Sequence, residues 1–150
     1  MGIVHRFHQA IAVLSACLLA TAASVTASAA APAKPPATCT PGACAGQDPG
    51  QTGCTNDQTI LDQVQRSGRT LRLMFSNTCQ AAWAQLQGGQ STAQSSDTAT
   101  IQDDRSHSQS SPVLVTGQTI QTKMINSTSV HLQACATLIN DPVQLCTAFH

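Results

Sequence analysis

Six cysteines, Cys39, Cys44, Cys54, Cys79, Cys135 and Cys146, constrain this chain more than anything else in it. They fall in a stretch of roughly 120 residues, a size at which a single core is modest and covalent staples matter. An even number of thiols in a small domain reads as a disulfide framework, provided the compartment is oxidising. The competing reading is a metal centre. Zinc sites favour Cys-x2-Cys pairs with histidine close by, whereas here the spacings are wider and His107, His131 and His150 are scattered. Disulfides are therefore the expectation, with no metal and no other cofactor.

The start of the chain supplies the compartment. His5, Arg6 and His8 precede an apolar run over residues 10–23, and residues 24–31 are small, with Ala27-Ser28-Ala29 and Ala29-Ala30-Ala31 among them. That order is the pattern of a secretory leader, so residues 1–31 read as a signal peptide cut near Ala29 or Ala31. A spanning helix needs about 20 apolar residues, more than this run offers, so no membrane span is expected after cleavage. Leu14-Ser15-Ala16-Cys17 resembles a lipoprotein box, which makes a lipid anchor on Cys17 the alternative to release. Against it, the apolar run continues past Cys17 through Leu18-Leu19-Ala20.

Charge removes one class of function. Only 9% of the residues are charged, the formal net charge is zero, and glutamate is absent. A nucleic-acid binder presents a basic face, so no nucleic-acid partner is expected.

Along the chain, residues 32–38 (PAKPPAT) form a stiff Pro/Ala linker. Residues 39–150 form the domain. Its head, residues 39–54, is rich in the turn signals Pro41-Gly42, Asp48-Pro49-Gly50 and Thr52-Gly53, and reads as loops held by cysteines. Strands are expected over residues 59–64 and 70–75 about a Ser67-Gly68 turn. Leu71, Leu73 and Phe75 alternate with Arg72 and Met74, the period of a sheet. Residues 79–84 (CQAAWA) favour a short helical turn leading to a strand near Leu86. Residues 88–97 and 103–111 read as polar loops. Further strands are expected over 98–102, 112–116, 119–125 and 129–134. Short strands at such spacing predict a mainly β domain, a small disulfide-stapled sandwich or barrel with one short helical turn.

The motifs in order are Cys39-x4-Cys44-x-Gly46-x-Asp48-Pro49, Cys54-x2-Asp57, Leu73-x-Phe75-Ser76-x2-Cys79-x3-Trp83-Ala84, Thr122-x-Met124, and Ala134-Cys135-Ala136 with Cys146-Thr147. With them the chain resembles a family of exported bacterial proteins of unknown function, DUF2690 or YjfA-like, from Cys39 to Cys146. The family often has Tyr where Phe75 stands, and a basic residue where Met74 and Gln85 stand. The resemblance implies an outer module, found elsewhere in the family behind helix-turn-helix domains or membrane helices. It implies no activity.

Candidate chemistry must then come from the residues. Asp48 and Asp57 flank the Gly-rich head, but calcium wants six to eight oxygens, and a turn and a cap are the simpler roles. Hydrolysis would draw on His107 or His131 with a serine, or on Asp103-Asp104. His107 sits in a serine-rich loop, and His131 alternates with Val130 and Leu132 and so faces out of a strand. No Gly-x-Ser-x-Gly is present. Trp83, four residues after Cys79, reads as core packing beside a disulfide rather than as a sugar-stacking surface. Asn126-Ser127-Thr128 is a formal glycosylation sequon that reads as a turn.

Six cysteines permit 15 pairings. The Asp141-Pro142 turn lets the last segment fold back on the last strand, which favours Cys135 with Cys146. The other four then pair among themselves, with Cys79 reaching back to Cys39, Cys44 or Cys54 and Cys44 the preferred partner. The function expected is a secreted or cell-surface binding module without catalysis, for an extracellular protein, a peptide or a cell-wall polymer. The alternative is a small secreted hydrolase.

Overall fold

A hairpin fixes the geometry of the first sheet. In a computed structural model of the chain, which describes residues 33–111, 118–127 and 131–150, strands β1 (Gln58–Arg66) and β2 (Arg69–Ser76) are joined by Ser67 and Gly68. Both turn residues have positive φ, 51° and 76°, as a type I′ hairpin needs. The pairing slips by one residue between Ile60 and Asp62, a bulge at Leu61. Strand β3 (Ala81–Gln87) adds to β2, and two short pieces, β6 (Ile120–Gln121) and β7 (Ile125–Asn126), pair with β3. The second sheet, in spatial order β5-β4-β8-β9, is built from β4 (Thr98–Asp103), β5 (Ser108–Ser110), β8 (Leu132–Thr137) and β9 (Leu145–Cys146). All pairings among these strands are antiparallel.

Alternation along the strands makes the core. Leu71 and Leu73 of β2, Ala82, Ala84 and Leu86 of β3, Ala99 and Ile101 of β4, and Leu132, Ala134 and Ala136 of β8 bury themselves between the two sheets. Strand β2 lies over β8, β3 over β4 and β8, and β1 over β9. The fold is a mainly β sandwich held by disulfides. Part of the opposite face of the first sheet is covered as well. Met74, Ala81 and Trp83 cover it, and the cysteine-rich head packs on them with Cys44, Cys54 and Cys79. Strand β3 is therefore enclosed on both faces, and its burial is nearly continuous from Ala81 to Leu86.

Four expectations are corrected here. The helical turn over residues 79–84 is absent. Cys79 and Gln80 close a turn in which Gln80 has φ 49°, and residues 81–84 are already strand. Alanine and glutamine favour helix, but pairing on both edges and burial on both faces outweigh propensity. The helical turn among the described residues is a 3-10 turn at Cys54–Asp57. The polar loop at 103–111 contains β5. The strand expected over 119–125 is split: Thr122 Oγ1 accepts the Ala84 N–H at 3.1 Å in place of a backbone carbonyl, and β6 ends there. Asn126, read as part of a turn, lies in β7 and donates from Nδ2 to the Gly42 carbonyl at 3.1 Å. The expected leader with its cleavage site and Cys17, the strand over 112–116 and the start of that over 129–134 lie outside the described residues.

One contact ties hairpin, loop and second sheet together. Arg69 Nε donates to Asp97 Oδ2 at 2.9 Å, with side chains 7% and 0% exposed. Asp97 also accepts the N–H of Gln90 at 2.7 Å and of Ile139 at 2.6 Å. Burial pushes its carboxyl up, but these hydrogen bonds and the Arg69 charge hold it below its ordinary value.

Candidate functional site

The head is organised by short-range hydrogen bonds before any cysteine is counted. Asp48 Oδ1 accepts the N–H groups of Gly50 and Gln51 at 2.9 and 3.1 Å, an Asx-type turn. Thr52 N–H donates to the Asp48 carbonyl at 3.1 Å. Asp57 ends the 3-10 turn and accepts Ser76 Oγ–H at 2.6 Å and Thr78 N–H at 2.7 Å, which closes the β2–β3 connection. Burial pushes the Asp57 carboxyl up, and these bonds more than offset it. Each candidate calcium carboxylate is thus occupied with holding a turn. The head is strapped to the sheet edge where β6 and β7 part: Gly46 N–H donates to the Met124 carbonyl at 2.8 Å and Met124 N–H to the Gln47 carbonyl at 3.0 Å.

Cysteines lock this arrangement. Cys39 is bonded to Cys44, Cys54 to Cys79, and Cys135 to Cys146. The preference for Cys44 as the partner of Cys79 is corrected to Cys54. The reason is local. Residues 39–44 close on themselves through the Ala43 N–H to Thr40 carbonyl bond, 2.9 Å, which turns Cys44 back to Cys39. The 3-10 turn then carries Cys54 beneath Cys79. Cys135 and Cys146 face each other across β8 and β9. Trp83 is fully buried in this layer, and its Nε1–H finds no acceptor among the described residues. A buried donor without a partner costs about 1–3 kcal/mol.

Beside the head lies an open cleft of about 400 Å³, lined by Ala45 of the head, Ile125 and Asn126 of β7, and Asp103, Arg105, His107 and Gln109 of the β4–β5 hairpin. Asp103 builds that hairpin. Its Oδ1 accepts the N–H of Arg105 at 3.0 Å and of His107 at 2.8 Å, while Oδ2 meets His107 Nδ1 at 2.8 Å. Burial pushes the Asp103 carboxyl up, but the hydrogen bonds from the His107 ring and from the two backbone N–H groups, with the His107 charge, bring it below its ordinary value. The imidazole is 73% exposed while Asp103 is 5% exposed, so a buried carboxylate aims a solvent-facing ring. The Asn126 Oδ1 in the same wall is buried without a donor among the described residues.

Of the residues singled out in the sequence, the structure brings Asp103 and His107 together. His131 is exposed, and its carbonyl accepts the Asp104 N–H at 3.1 Å. Arg105, Gln109, Asn126 and Ala45 were not singled out for this surface, and neither was Arg69 with Asp97. The weak signal for the hairpin was Asp103 followed by polar residues and histidine at the fourth position, the form of a turn closed by its own first carboxylate. The wall from β7 and the head had none, because it is assembled from distant parts of the chain. Among the described residues, no helix is long and apolar enough to cross a membrane.

No curated protein and no solved structure matches the chain. The family model described as a protein of unknown function, DUF2690, matches residues 42–135. That stretch runs from the head loop through the cleft hairpin to Cys135, with Cys39 and Cys146 just outside it. It covers more than half of the chain, and the chain belongs to the DUF2690 family.

Proposed function

We propose that this domain is a binding module of the cell exterior that takes a peptide, a protein loop or a cell-wall polymer at the cleft between the head and the β4–β5 hairpin, without catalysis. The observation that carries the reading is the cleft itself. Its volume of about 400 Å³ is within the range of ordinary ligand sites. It joins an apolar floor, Ala45 and Ile125, to a rim of hydrogen-bonding groups from Arg105, His107, Gln109 and Asn126. A scaffold held by disulfides keeps those groups in place before the ligand arrives, which reduces the ordering cost of binding. Disulfides are also consistent with an extracellular compartment.

One observation favours a hydrolase instead. The Asp103–His107 pair has the geometry that the orienter and base of a catalytic set would need. Among the described residues that line the cleft there is no serine, threonine or cysteine to be its third member. The two readings separate in one experiment. The oxidised protein is incubated with cell-wall fractions and secreted proteins of its host, beside an Arg105→Ala/Gln109→Ala variant and a His107→Ala variant. A binding module loses retention in the double variant at least tenfold and releases no product in any sample. Retention unchanged in both variants would remove the cleft from the proposal. Product release abolished by His107→Ala would establish the hydrolase.

A further inference from the structure

The four head cysteines form two disulfides that touch. Cys39 Sγ lies 3.6 Å from Cys54 Sγ, to which it is not bonded, and the sulfurs of Cys39, Cys44, Cys54 and Cys79 all lie within 4.8 Å of one another. Two disulfides that merely staple a loop have no need of such proximity. A tetrahedral zinc–thiolate centre does: bonds of about 2.3 Å set its sulfurs about 3.8 Å apart. We propose that the head is a latent four-cysteine zinc site, closed as two disulfides when oxidised and able to hold one Zn²⁺ as four thiolates when reduced. This goes beyond the cleft reading and stands independently of it.

Three features fit the site to the ion. Cys39-x4-Cys44 is wider than the common Cys-x2-Cys pair but still within the spacing zinc ligands use, and the 3-10 turn and the turn after β2 present Cys54 and Cys79 as the second pair. Cys44, Cys54 and Cys79 are fully buried, as in structural sites closed to water. Four thiolates around one zinc carry two excess negative charges, so the centre needs donors, and donors are present. Thr52 Oγ1 lies 3.1 Å from Cys54 Sγ, and its single proton, which the Asp48 carbonyl accepts at 2.8 Å, can turn to a thiolate. The Trp83 indole N–H, which has no acceptor among the described residues, lies in the same buried cluster. Hydrogen bonds of this kind orient and stabilise metal-bound sulfur.

The chemistry balances with an external dithiol as reductant. Each disulfide accepts two electrons and two protons, the dithiol leaves as its own disulfide, and four thiols result. Zinc then replaces the four protons, which pass to water. The third disulfide, Cys135–Cys146, is in the other sheet and takes no part.

The test uses a Cys135→Ser/Cys146→Ser variant, so that only head thiols can respond. After reduction with a phosphine in the absence of air, Zn²⁺ or Co²⁺ is added at one equivalent. Native mass spectrometry should show one metal per chain, and Co²⁺ should give the intense visible bands of a tetrahedral tetrathiolate. Circular dichroism of the reduced protein should keep its sheet signal with zinc and lose it with a chelator. A second variant, with Cys39→Ser/Cys44→Ser added, can be checked for folding through its remaining Cys54–Cys79 disulfide before reduction. Once reduced, it should bind zinc at least a hundredfold more weakly. Absence of one-to-one uptake, octahedral Co²⁺ spectra, or equal affinity in the second variant would overturn the site.

Discussion

Single residues decide more of this domain than its low charge suggests. Asp97 accepts bonds from Arg69, Gln90 and Ile139 and so joins the hairpin, the long polar loop and the end of β8. Asp97→Ala leaves the Arg69 guanidinium buried without its counter-charge and two N–H groups without an acceptor. Losing one partner of a buried pair costs about 3–5 kcal/mol, and urea unfolding should show a loss of that order, whereas Asp104→Ala on the surface should stay within about 0.5 kcal/mol. Gly88 is the second such position. With φ +74° and a Cβ that would lie 2.8 Å from the Gly68 carbonyl oxygen, Gly88→Ala should destabilise, by more than the roughly 1 kcal/mol of an ordinary glycine effect. Neither role was legible in the sequence. Arg69 and Asp97 stand 28 positions apart in segments that read as turn and loop, and no local pattern couples them. Asp48 was legible, because an Asp-Pro-Gly run closes its own turn with its own side chain.

At the scale of elements, what could be read was what repeats with period two. Leu71, Leu73 and Phe75 alternate because one face of β2 meets the second sheet, and the Ser67-Gly68 turn marked the hairpin to the residue. A strand was expected near Leu86, but the first half of β3, Ala81 to Ala84, escaped because neither of its faces is polar. A strand buried on both sides loses its alternation, and a run of alanines with glutamine then looks like helix. The same argument explains why β6 and β7 blurred into one segment: their partner edge is completed by a threonine side chain rather than by backbone. Two substitutions weigh the two faces of the first sheet. Leu73→Ala opens the interior between the sheets and should cost about 2–5 kcal/mol. Met74→Ala opens the layer under the head. It should cost a similar amount if the head is packed as tightly as the sandwich, and under about 1 kcal/mol if the head is a loose cover. Chemical denaturation of both variants measures this directly.

The molecule as a whole is set by its staples and its carboxylates. In the chain-entropy picture a longer closed loop stabilises more: the separations of 5, 25 and 11 residues rank Cys54–Cys79 first, at about 3.5 kcal/mol, and Cys39–Cys44 last, at about 2 kcal/mol. Paired serine substitutions should reproduce that order, and peptide mapping of the unreduced protein should return a Cys54–Cys79 link and no Cys44–Cys79 link. Acid acts through a different set. Asp57, Asp62, Asp97 and Asp103 all have carboxyls held below the ordinary value, Asp62 chiefly by the Ala148 N–H and the other three by hydrogen bonds that outweigh burial. A folded-state value below the unfolded one means that the unfolded chain binds protons first as pH falls. Their stabilisation is therefore complete above the unfolded value of about 4 and is lost as pH drops below it. Thermal melting should be insensitive to these groups from pH 5 upward and should fall steeply from pH 4 to pH 2.

The chain has one tryptophan and no tyrosine, and that tryptophan lies in the layer between the head and the first sheet, with Cys44, Cys54 and Cys79 around it. Nearly all its long-wavelength absorption and emission therefore originate in one indole. Buried in apolar surroundings, that indole should emit at short wavelength. With disulfides in its cluster it should be strongly quenched, because a disulfide accepts an electron from an excited indole. Light thus reports on the head alone, while amide absorption reports on both sheets. If heating brightens and red-shifts the emission at the temperature where the sheet signal collapses, head and sandwich melt as one cooperative unit. If the emission changes first, the head opens on a folded sandwich, and the protein carries its own gauge of that opening.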